Sequence, residues 1–146
     1  MSENNVDTLS RRILSLAPDA ILFADHEGII RLWNRGAEMI FGFTATEAIG
    51  ESLDLIIPER LRAVHWEGYH RVMATGETRY GKDLLSVPAL HRDGHQLSCE
   101  FSIVMLKDDA GKIIGIASIM RDVTERWNRE KVLKEQITAL KAKCGD

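Results

Sequence analysis

In the stretch HQLSCEFSIVML the apolar residues Leu97, Cys99, Phe101, Ile103 and Met105 alternate with Gln96, Ser98, Glu100 and Ser102. A period of two puts the five apolar side chains on one side of a strand and predicts a β-strand with one buried face. Arg92-Asp93-Gly94 and Asp108-Asp109-Ala110-Gly111 read as the turns flanking it, and KIIGIASIMRDV as the last strand. Upstream, AILFADHEGIIRLWN holds two apolar runs separated by Asp25-His26-Glu27-Gly28. This predicts a β-hairpin in which Gly28 takes the positive φ of a tight turn.

Elsewhere the period lengthens to that of a helix. LSRRILSLA places Leu9, Ile13 and Leu16 at helical spacings up to Pro18. Residues 1–7 are polar; the stretch 1–8 is read as a disordered N-terminus and 9–17 as a flanking helix. Asn34 caps a short helix in RGAEMIFGF, with Ala37, Ile40 and Phe41 on one face. Thr44 and Glu47 have capping-box spacing and open a brief helix to Ile49 that Gly50 ends. A further helix is predicted from Glu59 to Met73, carrying Leu61, Val64, His65 and Val72, with Gly76 as its stop. From Thr124 the chain becomes a charged helix in which Leu133, Ile137 and Leu140 form one apolar stripe. That stripe is too short for a stable solitary coiled coil, so the helix packs on the domain, on a second copy of itself, or on both.

Taken together, this is an α+β chain of 146 residues with one core. The domain runs over 9–123, followed by a signalling or dimerisation helix over 124–146. A net charge of −3 without a clustered basic surface argues against nucleic acid as a partner. Cys99 and Cys144 lie far apart and suggest neither a disulfide framework nor a zinc site, so reduced thiols and a cytoplasmic location are expected. The N-terminus does not read as a secretory signal, and no run of eighteen apolar residues occurs, so no membrane partner is expected. No Ser-His-Asp order, nucleotide-binding glycine loop or carboxylate pair stands out, and no enzymatic activity is expected.

At GIIRLWNRGAEMIFGFTATEAIGESLDLIIPE, at RDGHQLSCEFS and at GIASIMRDVTE the chain resembles a PAS domain. The likeness covers about residues 9–126, with three motifs in the right order. It implies a five-stranded antiparallel sheet whose inner face, with short helices, encloses a ligand cavity. Asp122-Val123-Thr124 then resembles the junction that passes strain to an outgoing helix. From Ile57-Pro58-Glu59 through Met73-Ala74-Thr75-Gly76-Glu77 to Arg92-Asp93-Gly94, the chain is similar to the haem-binding PAS domains of rhizobial oxygen-sensor kinases of the FixL type. It is similar there too to the direct oxygen sensors attached to phosphodiesterases. The resemblance implies haem b, with His65 as proximal iron ligand and Arg71 and Arg79 as partners of the propionates. Imidazole is a good iron ligand, and guanidinium groups pair bidentately with carboxylates.

The chain departs from that pattern at two positions. Where those oxygen sensors present an arginine to bound oxygen, Leu85 stands here, and with Phe101 and Ile103 it gives an apolar pocket wall. A lower preference for O2 over CO or NO follows. Where the phosphodiesterase-linked sensors carry a methionine as sixth ligand, this chain has Asp83. The function so implied is sensing of a diatomic gas or of redox state by a homodimer, relayed through the C-terminal helix to a downstream signalling protein. A PAS module without haem, serving dimerisation or another small ligand, is the alternative.

The same residues also have plainer readings. His65 alone is a surface or helix-terminal histidine, and Arg71 and Arg79 can pair with Glu67 or Glu77 in surface ion pairs worth ~0–1 kcal/mol. His70 falls on a position that is not a ligand in the family, and His26, His91 and His95 lie in turns exposed to solvent. Met105 and Met120 suit the core, and Cys99 acts as a small apolar residue. Trp33 and Asn34 stand at a place that lines or supports the cavity in many PAS domains, and their role is structural or one of ligand contact. Flavin photochemistry would need a cysteine on a helix in the light-sensing motif, where neither Cys99 nor Cys144 stands.

Overall fold

A computed structural model describes residues 5–78 and 84–144. Five strands form one antiparallel sheet: β1 (Ala20–Asp25), β2 (Ile30–Trp33), β3 (Leu85–Leu90), β4 (Gln96–Lys107) and β5 (Ile113–Asp122), in the order β2-β1-β5-β4-β3. The β1–β2 hairpin turns where expected. One Asp25 carboxylate oxygen accepts the amides of Glu27 and Ile29 at 2.9 and 3.1 Å, the other accepts Arg31 Nε at 2.9 Å, and Gly28 sits at φ +80°. Partial burial pushes the Asp25 carboxyl up, but these donors outweigh it and hold its pKa below the ordinary value.

Around the sheet lie α1 (Val6–Leu16), α2 (Arg35–Phe41), α3 (Ala45–Ala48), two short 3-10 turns (Leu53–Ile56 and Glu59–Leu61), α4 (Arg62–Thr75) and α5 (Thr124–Cys144). The helix stops follow local chemistry. Thr44 and Glu47 form a complete capping box on α3, and Gly76 ends α4 at φ +73°. Two boundaries differ from expectation. The helix expected from residue 9 begins at Val6, inside the stretch read as disordered, because Asn5 caps it by accepting the Asp7 amide at 2.7 Å. The segment after Pro58 opens with a 3-10 turn and becomes α-helical at Arg62.

The core fills the inner side of the sheet: Leu22, Ile30 and Phe41 are almost wholly buried, with Trp33, Leu53, Ile56, Tyr69, Leu97, Cys99, Ile116 and Met120 around them. Each large side chain so buried contributes about 1.5–3 kcal/mol. Asn34 is the buried polar side chain of this core. Its Oδ1 accepts the amides of Ile21 and Ala37 at 2.8 and 2.9 Å, and its Nδ2 donates to the carbonyls of Leu14 and Asp19 at 2.8 and 3.1 Å. One side chain thus ties α1, β1 and α2 together. Gly36 permits that approach, since a Cβ there would lie 2.1 Å from the Asp19 carbonyl oxygen.

The opposite faces are barely covered. On the outer side of the sheet Val104, Leu106 and Ile119 are exposed, and none of the residues of α1 or α5 is buried. No helix among the described residues is long and apolar enough to cross a membrane.

Candidate functional site

Antiparallel register sets the inner wall. Leu85 on β3 is paired with Phe101 on β4, Phe101 with Met120 on β5, and Met120 with Ala20 on β1, so these four share one row across the sheet. The next row holds Ile103, Ser118, Leu22 and Trp33. Leu85, Phe101 and Ile103, the three residues expected to line a pocket, therefore lie on the same face, each half-buried. Ser118 adds a hydroxyl to this wall; its alternation with Ile116 and Met120 was the signal for that placement.

Packed against the core is α4, oriented by two aromatic residues. Tyr69 is buried and its hydroxyl donates to the carbonyls of Ala24 and Asp25 at 3.2 and 2.5 Å, fastening the helix to the end of β1. Burial, and secondarily the Asp25 carboxylate, raises the phenol pKa well above its usual range, so Tyr69 stays a donor. Trp66 Nε1 donates to Asp54 at 2.7 Å, and its ring lies against Gly28, where a Cβ would come within 2.2 Å of it. Neither tether figured in the sequence reading, because each depends on a residue far along the chain.

His65 lies one turn before Tyr69 on the same side of α4. Its ring meets Trp66 edge-on at 4.7 Å and Tyr69 at 5.7 Å between centroids. Its Nδ1 is buried and has no hydrogen-bond partner among the described residues. Burial pushes the imidazole pKa below its ordinary value; the Asp54 carboxylate opposes that shift and His70 adds to it. The result is a neutral imidazole with an uncommitted nitrogen against an apolar, aromatic surround. A buried nitrogen of this kind takes its partner from outside the chain, a water or a bound ligand.

Arg71 lies on the exposed side of α4 and donates to Glu67 at 3.3 Å, and Arg79 and Asp83 lie outside the described residues. Cys99 is buried, and its thiol is pushed up to about 12 by burial and the nearby Asp122 carboxylate, which leaves it unreactive. Met120 is buried in the core and Met105 packs against it. His26 and His70 are exposed. His91 departs from expectation: only 25% of its side chain is exposed, because the ring packs against Gly42 at the end of α2.

The junction to α5 is also bonded to the site's wall. Thr124 Oγ1 accepts the Ser98 amide from β4 at 2.9 Å and donates to Asp122 at 2.5 Å, Val123 donates to the Ser98 carbonyl at 2.8 Å, and Arg126 pairs with Glu100 at 2.5 Å. These bonds tie β4 to the first turn of α5.

Comparison with known proteins agrees with this architecture. The family described as PAS fold matches residues 14–128. The chain is 30% identical over 129 residues to the sensor protein FixL of Bradyrhizobium diazoefficiens, covering 88% of this chain and 25% of FixL. It is 23% identical over 121 residues to the oxygen sensor protein DosP of Escherichia coli, covering 83% of this chain and 15% of DosP. It thus spans a quarter or less of the length of these relatives. The PAS domain of a protein from Colwellia psychrerythraea shares the fold with a TM-score of 0.73 at 23% identity, over 83% of this chain and 99% of that one. The chain belongs to the PAS family.

Proposed function

We propose that this PAS domain is a haem-binding, non-catalytic cytoplasmic sensor that detects a diatomic gas or redox state and relays it through α5 to a downstream signalling protein. The observation that carries the reading is His65, a neutral imidazole whose buried nitrogen on the inward side of α4 has no partner among the described residues. The similarity to FixL and DosP supports it. A group of this kind fits an iron ligand, because binding a metal would engage a nitrogen that otherwise lacks a partner.

Bound haem would supply an iron that takes up a small gas or changes its oxidation state. His65 would hold that iron, and Leu85, Phe101 and Ile103 would offer apolar contact to the macrocycle. Arg71 and Arg79 would serve the propionates, Arg71 by exchanging its exposed pair with Glu67. Leu85 donates no hydrogen bond, so a polar oxygen adduct gains less here than at an arginine, and CO or NO is favoured in comparison. The relay then needs an element with two states whose balance differs with and without ligand. The bonded junction at Thr124, and pairing of α5 between two chains, provide candidates for it.

The test is the absorption spectrum of the full chain expressed with adequate haem, taken oxidised, reduced and under CO. A Soret band that shifts with reduction and CO is expected, and His65→Ala is expected to lose it while keeping native far-ultraviolet circular dichroism. A folded His65→Ala with unchanged haem content and spectrum would refute the ligand assignment. A native protein that stays colourless on haem titration would favour the second reading, a haem-free dimerisation module. That reading draws on the exposed apolar residues of α1 and α5.

A further inference from the structure

The turn joining β3 to β4 carries three metal-ligating side chains within five residues, His91-Arg92-Asp93-Gly94-His95, and the fold makes them converge. One ligand atom from each lies within 4.8 Å of the other two. His91 Nδ1 is 3.2 Å from Asp93 Oδ1, His95 Nδ1 makes a short contact with the same oxygen, and the two imidazole rings stack with centroids 4.6 Å apart and planes 20° from parallel. Two donors bound tetrahedrally at about 2.0–2.1 Å from one ion stand roughly 3.3 Å apart, so the His91–Asp93 spacing already suits one.

The turn is seated from outside. The Arg92 amide donates to the Phe41 carbonyl at 2.8 Å, its guanidinium pairs with Glu47 at 2.5 Å and lies 5.9 Å from the centre of the Phe43 ring. The His91 ring rests on Gly42 so closely that a Cβ there would come within 2.7 Å of Cε1 and 2.8 Å of Nε2. That packing turns Nε2 toward α2 and leaves Nδ1 facing Asp93. The His91 amide donates to the His95 carbonyl at 2.9 Å, which closes the hairpin and keeps the two rings together.

We infer that His91, Asp93 and His95 form a binding site for a divalent transition-metal ion of the zinc type, with water completing its coordination. Two imidazoles and one carboxylate are a donor set suited to borderline ions, and poorly suited to calcium or magnesium, which take oxygen ligands. In the metal-free turn His91 Nδ1 accepts the Asp93 amide at 3.1 Å and His95 Nδ1 donates to the Asp93 carboxylate. Binding exchanges these hydrogen bonds for metal bonds, and the His95 proton passes from Nδ1 to Nε2 through solvent, so no net proton is released from that ring. The bound ion would hold the β3–β4 turn in one conformation. This site uses none of the residues assigned to haem.

The test is calorimetric titration of the untagged full chain with Zn2+, and with Co2+ followed by visible absorption. One ion per chain is expected, with d–d bands of a nitrogen- and oxygen-ligated cobalt centre. His95→Ala and Asp93→Asn, both at exposed positions, are each expected to weaken binding by at least roughly tenfold, whereas His26→Ala leaves it unchanged. Failure of the native chain to take up Zn2+ stoichiometrically would overturn the site. So would an affinity that His95→Ala and Asp93→Asn leave equal to the native one.

Discussion

Burial of His65 makes the protein's stability depend on pH in a definite direction. The folded-state pKa lies below the ordinary value of 6.5, first because burial disfavours the imidazolium and then because His70 is near, against the pull of Asp54. In the unfolded chain the same ring takes its proton near pH 6.5. Between the depressed value and about 6.5 the unfolded state therefore binds more protons, and stability rises with pH across that window. Acidification below about pH 6.5 is expected to destabilise haem-free protein, and His65→Leu to reduce that loss, as read from urea midpoints at pH 7.5 and 5.5. Equal losses in both proteins would exclude His65 as the source. The depressed carboxylates Asp25, Glu47 and Asp93 act in a lower window, since their contributions are present above about pH 4 and disappear below it.

Thr124 is where the sheet becomes the outgoing helix, and its hydroxyl bridges the two elements through the Ser98 amide and the Asp122 carboxylate. Thr124→Val keeps the shape, removes both bonds and leaves a part-buried amide on β4 without its partner. A loss of about 1–3 kcal/mol is expected in denaturant unfolding, with faster hydrogen exchange in the first turn of α5. The control Thr138→Val, which removes only an exposed bond to the Lys134 carbonyl, is expected to stay within about 0.5 kcal/mol of native. If the two variants behave alike, the bridge does not couple sheet to helix. The elements themselves were legible wherever a local rule decides them: the alternation of β4, the Thr44 capping box, the glycines at turns and helix ends. Asn5 and Asp7 carried the start of α1 in the same local way, and the polar composition of residues 1–8 obscured it. The site was legible only in part. Leu85, Phe101 and Ile103 share a face because strand periodicity fixes it, but the rotation of α4 is set by Tyr69 reaching Ala24 and Asp25, contacts across more than forty residues. That rotation sends Arg71 outward to Glu67. The packing of His91 on Gly42 was hidden for the same reason, since it joins a turn to a helix end remote in sequence.

At the scale of the whole molecule, α1 and α5 each leave a row of apolar side chains exposed. Val6, Leu9, Ile13 and Leu16 recur along α1 with exposures of 75, 39, 67 and 65%, and Leu133, Ile137 and Leu140 along α5 with 56, 52 and 61%. Both rows lie beside elements already bonded to the sheet, α1 through Asn34 and α5 through Thr124, and the exposed outer-face residues Val104, Leu106 and Ile119 add to them. Isolated apolar residues on a surface need no explanation, but continuous helical rows of them mark an interface. A second copy of the chain would supply a matching stripe at each, which is the basis for the proposed homodimer. Each large apolar side chain removed from water contributes about 1.5–3 kcal/mol, and 1.4 kcal/mol is tenfold in affinity. Leu133→Glu combined with Ile137→Glu is therefore expected to weaken dimerisation by well over tenfold in sedimentation velocity, with the fold intact by circular dichroism. The charges lie on a helix with no buried residue, so they have no core to disturb. If sedimentation is unchanged, the α5 stripe is not part of the interface, and Leu9→Glu with Ile13→Glu then decides whether α1 carries the association alone.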